Sequence, residues 1–118
     1  MLRGAAEELV TVLNGARQLA IRANSTVCVT HDGPRVQYHL STCTATTWKG
    51  PGTDASGNIT LSNSVQAGGT NNVCYSYLGA TIATPAPCVN AGTLSVTNPV
   101  GGATMSVIVA TTGRARIQ

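Results

Sequence analysis

The stretch of sequence that decides the fold is residues 2–23, LRGAAEELVTVLNGARQLAIRA. Apolar residues recur in it at spacings of three and four, and Leu9, Leu13 and Leu19 are the largest members of this stripe. Such a period places the apolar side chains on one face of an α-helix, while Arg3 and Arg17 fall on the other side. A helix of this kind must bury its stripe against another element. We therefore expect Leu9, Leu13 and Leu19 to hold the helix on a sheet.

The remainder of the chain, about residues 25–118, has the composition of strands and polar loops. Only 9% of the 118 residues are charged and only 3% are aromatic, with no Phe. Short β-branched or alternating runs, separated by Gly and Pro, predict strands at residues 25–30, 35–40, 59–61, 73–78, 93–96 and 105–109. A turn over 31–34 makes the first two a hairpin, loops are expected over 44–58 and 66–72, and a connector over 83–88. One helix followed by strands predicts a single α+β domain over residues 1–118, with the helix packed on antiparallel sheet.

Composition and motifs exclude several functions. A net charge of +3 is mild and does not by itself indicate a nucleic-acid binder. No run approaches eighteen apolar residues, so none of this sequence is expected to span a membrane. His31, Asp32 and His39 come without a nucleophile elbow, and the 54–58 loop lacks the alternating acidic ligands of a calcium site. We therefore expect no enzyme activity, no cofactor and no metal.

Four cysteines, Cys28, Cys43, Cys74 and Cys88, form an even set in a small, loop-rich chain. This pattern favours two disulfides and an oxidising compartment, and the lack of a Cys-x-x-Cys pair makes zinc the weaker interpretation. Three connectivities are possible. We expect neighbour pairing, Cys28 with Cys43 and Cys74 with Cys88.

Several motifs resemble the GspH/FimT family of type II pseudopilins and minor type IV pilins. They are LRGAAEEL at 2–9, Asn24-x-x-Val-x-Val at 24–29, Trp48-Lys49-Gly50 followed by Gly57-Asn58, and TGRAR at 112–116. The resemblance runs from end to end, although the family's usual aromatics are missing from the middle strands. It implies a pilin-like fold and a structural subunit that assembles with other pilin subunits, or primes or tips their fibre. It also implies an apolar segment ahead of residue 1 that anchors the protein in the inner membrane, with the head in the periplasm before assembly and in a periplasmic or cell-surface fibre afterwards.

The C-terminal motif Gly113-Arg114-Ala115-Arg116 is the sharpest candidate site. In an extended backbone, Arg114 and Arg116 project to the same side about 6.6–7 Å apart, which matches successive phosphates of one DNA strand. The family resemblance implies capture of double-stranded DNA during uptake, with Lys49 and Arg35 as helpers. Two phosphate contacts bind weakly, so useful affinity needs many subunits along a fibre. The alternative role of the two arginines is to keep an edge strand soluble. For the protein as a whole, the third functional hypothesis is a small secreted ligand-binding β domain.

Overall fold

The structure of the chain, a computed structural model, describes residues 2–62, 65–83 and 88–118, with the side chain of Leu2 left out. It opens with helix α1, Leu2–Ala23, as the sequence predicts. Asn24 ends the helix in the left-handed conformation, with φ of 53°. The N–H groups of Asn24 and Ser25 then donate to the carbonyls of Ile21 and Ala20, at 3.3 and 3.1 Å. These bonds satisfy carbonyls that a helix end would otherwise leave unpaired.

The described residues after α1 form nine strands. They are β1 Val27–Asp32, β2 Arg35–Leu40, β3 Ile59–Thr60, β4 Gln66–Gly69, β5 Val73–Tyr75, β6 Thr81–Ile82, β7 Gly92–Thr97, β8 Thr104–Val109 and β9 Ala115–Ile117. One sheet has the order β3-β2-β1-β5-β6 and the other has the order β4-β7-β8-β9. All of these strand pairs are antiparallel, which confirms the predicted α+β class.

The helix packs against both sheets. It contacts β1 and β5 of the first sheet and β7, β8 and β9 of the second. Leu9 and Leu13 are fully buried and Leu19 is 6% exposed, in one core with valines from both sheets. Complete burial of a leucine side chain is worth about 1.5–3 kcal/mol. The three leucines therefore lie where the sequence pattern places them.

The two sheets also meet through backbone hydrogen bonds. The N–H of Ala67 in β4 donates to the carbonyl of Gly33 in the β1–β2 turn, at 2.7 Å. The N–H of Thr81 in β6 donates to the carbonyl of Thr111 in the β8–β9 turn, at 3.1 Å. The helix and these turns thus join the two sheets into one body.

The prediction of a loop over residues 66–72 was wrong, because its first four residues form β4. This strand pairs with β7, and Gly68 allows the Ser95 side chain to lie close to the backbone: a Cβ on Gly68 would lie 2.9 Å from the Ser95 Oγ. The strand expected over 73–78 ends at Tyr75, where a turn begins that returns the chain as β6.

The first hairpin is tighter than predicted. His31 and Asp32 belong to β1, and the turn is reduced to Gly33 and Pro34. Gly33 supplies the positive φ of 59° that such a short connection requires. Part of the connector expected over 83–88, namely 84–87, lies outside the described residues. Among the residues that are described, no helix combines the length and apolarity needed to cross a bilayer.

Candidate functional site

Gly113, the first residue of the Gly-Arg-x-Arg motif, lies where three elements meet. The Arg17 Nε on α1 donates to the carbonyl of Gly79, in the turn between β5 and β6, at 2.8 Å. Gly113, in the turn between β8 and β9, has φ of 92° and packs directly on the same carbonyl. A Cβ at residue 113 would overlap the Gly79 oxygen and lie 3.2 Å from the Arg17 Nε. A glycine is therefore required for this approach, which fixes the start of the segment that carries Arg114 and Arg116.

Arg114 and Arg116 are exposed and flank the buried Ala115. Arg114 immediately precedes β9 and Arg116 is its central residue. Alternation along an extended segment places both guanidinium groups on the side away from Ala115. Within the described part of the chain, β9 is an edge strand that pairs only with β8.

Two open cavities lie along the line where β9 and its preceding turn meet α1. The first, of about 530 Å³, is lined by Asn14, Arg17, Gln18, Thr112 and Arg114. The second, of about 440 Å³, lies farther toward the start of α1 and is lined by Arg3, Glu7, Val10, Thr11, Arg116 and Ile117. Four arginines thus follow one side of the helix. We call Arg3, Arg17, Arg114 and Arg116 the arginine flank.

Most of the positive charge on the arginine flank is unpaired. Among the described residues there is one ion pair, between the Arg3 Nε and the Glu7 Oε1 at 3.3 Å. No described carboxylate lies within 4 Å of the guanidinium groups of Arg17, Arg114 or Arg116. The guanidinium groups of Arg114 and Arg116 therefore stay available to an anion. In Arg17 the Nε is bonded to the Gly79 carbonyl and the two terminal nitrogens are left for an anion instead, so each of the three residues can still hold a phosphate through two hydrogen bonds.

Lys49 and Arg35, the predicted helpers, lie elsewhere. Arg35 is in β2 of the first sheet, opposite Thr60. Lys49 follows Trp48, which lines a cleft on the other side of α1, beside Gly15 and Arg22. The structure therefore groups Arg114 and Arg116 with Arg17 and Arg3, which the sequence analysis placed on the polar side of the helix without assigning them a role. Their place on the polar side of α1 was visible in the helical period, but which strand lies beside them depends on how the helix docks.

The four cysteines form two disulfides with the expected neighbour connectivity. Cys28 is bonded to Cys43 with a Cα–Cα distance of 5.1 Å, and Cys74 to Cys88 with 5.5 Å. All four are buried, in a small cluster separate from the main core.

Both histidines make local hydrogen bonds to their own fold. The His31 Nε2 lies 3.2 Å from the carbonyl oxygen of Thr70. The His39 Nδ1 lies 2.8 Å from the Ala45 carbonyl oxygen, and its Nε2 lies 3.0 Å from the Thr30 hydroxyl. These contacts give both rings a structural role.

The 54–58 loop is closed by the carboxylate of its own aspartate. Backbone N–H groups of Asn58 and Ser56 donate to the Asp54 Oδ1, at 3.0 and 2.8 Å. These two bonds hold the pKa of Asp54 below its ordinary value, and the bond from Asn58 contributes more than the bond from Ser56. The loop is thus the turn that the sequence predicts.

The chain shares its fold with solved structures of a minor pilin and a minor pseudopilin. No protein-family model and no curated protein matches the chain. Among solved structures, the type IV minor pilin FimU of Pseudomonas aeruginosa superposes with a TM-score of 0.66 at 15% identity, over 99% of this chain and 87% of that one. The minor pseudopilin EpsH of the Vibrio cholerae type 2 secretion system gives 0.66 at 15% identity, over 99% of this chain and 95% of that one. A second EpsH structure gives 0.61 at 17% identity, over 95% and 89%.

Proposed function

We propose that this chain is the head of a minor pilin or pseudopilin, a non-enzymatic subunit that assembles into, primes or tips a pilus-like fibre. The observation that carries the proposal is the fold shared with FimU and EpsH over 99% of the chain. Its partners are other pilin or pseudopilin subunits. An apolar segment upstream of α1 anchors the subunit in the inner membrane and later packs among like segments in the fibre.

The position of α1 fits this role. Its buried stripe is used within the head, whereas Arg3, Glu7, Asn14 and Gln18 are exposed along its length. This polar side is open to contacts with neighbouring heads, and the start of α1 is where an upstream helix would join.

The proposal is tested in the native organism with the full-length gene under its own promoter. Deletion should abolish or reduce the surface fibres or the secretion that the parent machine supports, and the tagged protein should be recovered with sheared or membrane-extracted fibres. Val100→Ala, in an exposed turn, serves as the matched control for Leu13→Ala, which removes a core contact. Release of the full-length protein as a free monomer after cleavage of a conventional signal peptide would contradict the assembly role and support a secreted β domain.

We propose a second activity, the capture of double-stranded DNA by the arginine flank during uptake. The three guanidinium groups without a described carboxylate partner, on Arg17, Arg114 and Arg116, support it. Three phosphate contacts give a salt dependence with a slope of about −2.7, so affinity should fall about 40-fold between roughly 50 and 200 mM salt. Binding this weak becomes useful when many heads along one fibre engage the same duplex.

The DNA experiment compares two double variants of equal charge. Arg114→Ala/Arg116→Ala removes two groups from the flank, and Arg22→Ala/Arg35→Ala removes two exposed arginines outside it. In a fluorescence-anisotropy titration of a labelled duplex, the first should lower the salt slope by about two and the second should leave most of it. An equal loss of salt slope in both double variants would mean that net charge alone accounts for DNA binding, and this would contradict a defined site. Self-association of the first variant with unchanged DNA affinity would favour the edge-strand role instead.

A further inference from the structure

The sulfur atoms of all four cysteines lie in one compact cluster. Every Sγ is within 4.8 Å of every other. Across the two disulfides, the Cys43 Sγ lies 3.5 Å from the Cys74 Sγ and 3.8 Å from the Cys88 Sγ. The two disulfides are therefore in contact instead of bracing separate parts of the head.

The first sheet builds this cluster on the face opposite α1. Cys28 in β1 and Cys74 in β5 are directly opposite each other in the antiparallel register. Their neighbours Val27, Val29 and Val73 point into the main core, so strand alternation turns both cysteines to the other face. The loop residues Cys43 and Cys88 then cover them, and no cysteine is more than 8% exposed.

The distances between the disulfides match those between the ligands of a tetrahedral metal. With zinc–sulfur bonds of about 2.3 Å, the edges of a tetrathiolate site are about 3.8 Å long. Cys43 already lies at such distances from both Cys74 and Cys88. When the two S–S bonds are absent, the bonded pairs must move apart, and their Cα atoms at 5.1 and 5.5 Å leave room for that change by side-chain rotation. The remaining distances are already no longer than 4.8 Å.

The same distances argue against exchange between the two disulfides. Exchange requires a thiolate to attack one sulfur from the side opposite its leaving partner. The Cys43 Sγ is nearly equidistant from both sulfurs of the Cys74–Cys88 bond and therefore lies beside that bond. All four sulfurs nevertheless lie within 4.8 Å of one another, which is close enough for one ion to bind them all.

We propose that the reduced chain binds one Zn²⁺ through the thiolates of Cys28, Cys43, Cys74 and Cys88. Binding releases four thiol protons, so it strengthens as pH rises through the thiol range. Oxidation by two equivalents of a disulfide-carrying thiol oxidase removes four electrons, forms the two disulfides seen here and frees the ion. Zinc and the disulfides thus stabilise the same arrangement in two redox states, and the head can fold before it is oxidised.

The experiment uses the whole chain, reduced with a phosphine and passed through a desalting column after incubation with zinc chloride. We expect one zinc per chain by elemental analysis in the reduced protein and none in the oxidised protein. Co²⁺ in place of Zn²⁺ should give the visible bands of a tetrahedral site with thiolate charge transfer. Zinc should also restore the circular-dichroism spectrum of the reduced chain if reduction alone unfolds it.

Two variants act as controls. His31→Gln/His39→Gln removes both histidines and should retain the full zinc stoichiometry, whereas replacement of all four cysteines by serine should lose it. Less than half an equivalent of zinc in the reduced chain, zinc retained by the four-serine variant, or a cobalt spectrum without thiolate charge transfer would each overturn the proposal. These readouts are independent of the assembly and DNA experiments.

Discussion

Replacing Gly113 by alanine is expected to destabilise the head more than the same change at Gly101, although the two glycines have nearly the same backbone angle. Gly113 has φ of 92° and Gly101 has φ of 91°. A Cβ at residue 101 meets no described atom within 4 Å, whereas one at residue 113 overlaps the Gly79 carbonyl. The pair therefore separates backbone strain, which both variants share, from the steric cost at the junction with Arg17.

The magnitude follows from these two contributions. A left-handed backbone costs a residue with a Cβ about 1–2 kcal/mol, which is the whole effect expected for Gly101→Ala. Gly113→Ala must also displace the Gly79 carbonyl from Arg17, and an unpaired buried carbonyl costs about 1–3 kcal/mol more. The free energy of unfolding should thus fall by roughly 2–5 kcal/mol for Gly113→Ala. For 118 residues the unfolding entropy is about 0.25 kcal/mol/K, so the extra cost lowers Tm by about 4–12 °C beyond the control.

Both variants are measured by urea unfolding and differential scanning calorimetry beside the wild type. Arg17→Ala in the Gly113→Ala background gives a further check, because the two changes act on one carbonyl and should not be additive. If Gly113→Ala and Gly101→Ala lower Tm equally, the close approach of Gly113 to Gly79 does not contribute to stability and the reasoning fails.

Leu13→Ala should lower the free energy of unfolding by about 3–5 kcal/mol in urea, whereas Ile21→Ala on the exposed side of α1 should cost less than about 1 kcal/mol; comparable losses would argue against the helix packing. Replacing both cysteines of either disulfide by alanine should cost about 3 kcal/mol, since each closes a loop of 15 or 14 residues, and an unchanged urea midpoint would contradict this. Burial raises the pKa of Tyr38 and Tyr75, in Tyr38 with a smaller contribution from Tyr75, and in Tyr75 partly offset by Arg17. Their contribution to stability is therefore complete below the ordinary tyrosine pKa of 10.0 and is lost as pH rises further. Tyrosine ionisation, followed by absorbance, should coincide with alkaline unfolding, followed by circular dichroism. Ionisation well before unfolding would refute the burial of these two hydroxyl groups.

The helix and the second strand of the first hairpin were predictable because their signals are local, whereas β1 begins and ends two residues later than expected. The spacing of the apolar residues gave α1 at Leu2–Ala23 and β2 at Arg35–Leu40 without a change of bounds. The β4 strand was not predictable, because Gly68 and Gly69 have low strand propensity and the pairing with β7 comes from a part of the chain far away in sequence.

The candidate site was predictable only in part, for a similar reason. The exposed pair Arg114 and Arg116 follows from alternation around Ala115 in an extended segment. The addition of Arg17, and the role of Gly113 in packing on Gly79, depend on how three distant elements meet. The contact between the two disulfides likewise arises from the register of β1 against β5, which no spacing of cysteines reveals.

Helix α1 touches β1 and β5 of the first sheet and β7, β8 and β9 of the second, so it connects both sheets along its length. A force along the axis of α1 is therefore shared between the two sheets, and neither sheet can detach from the helix while the other remains packed on it. We therefore expect the head to unfold in one step under mechanical load, without a long-lived partly unfolded intermediate.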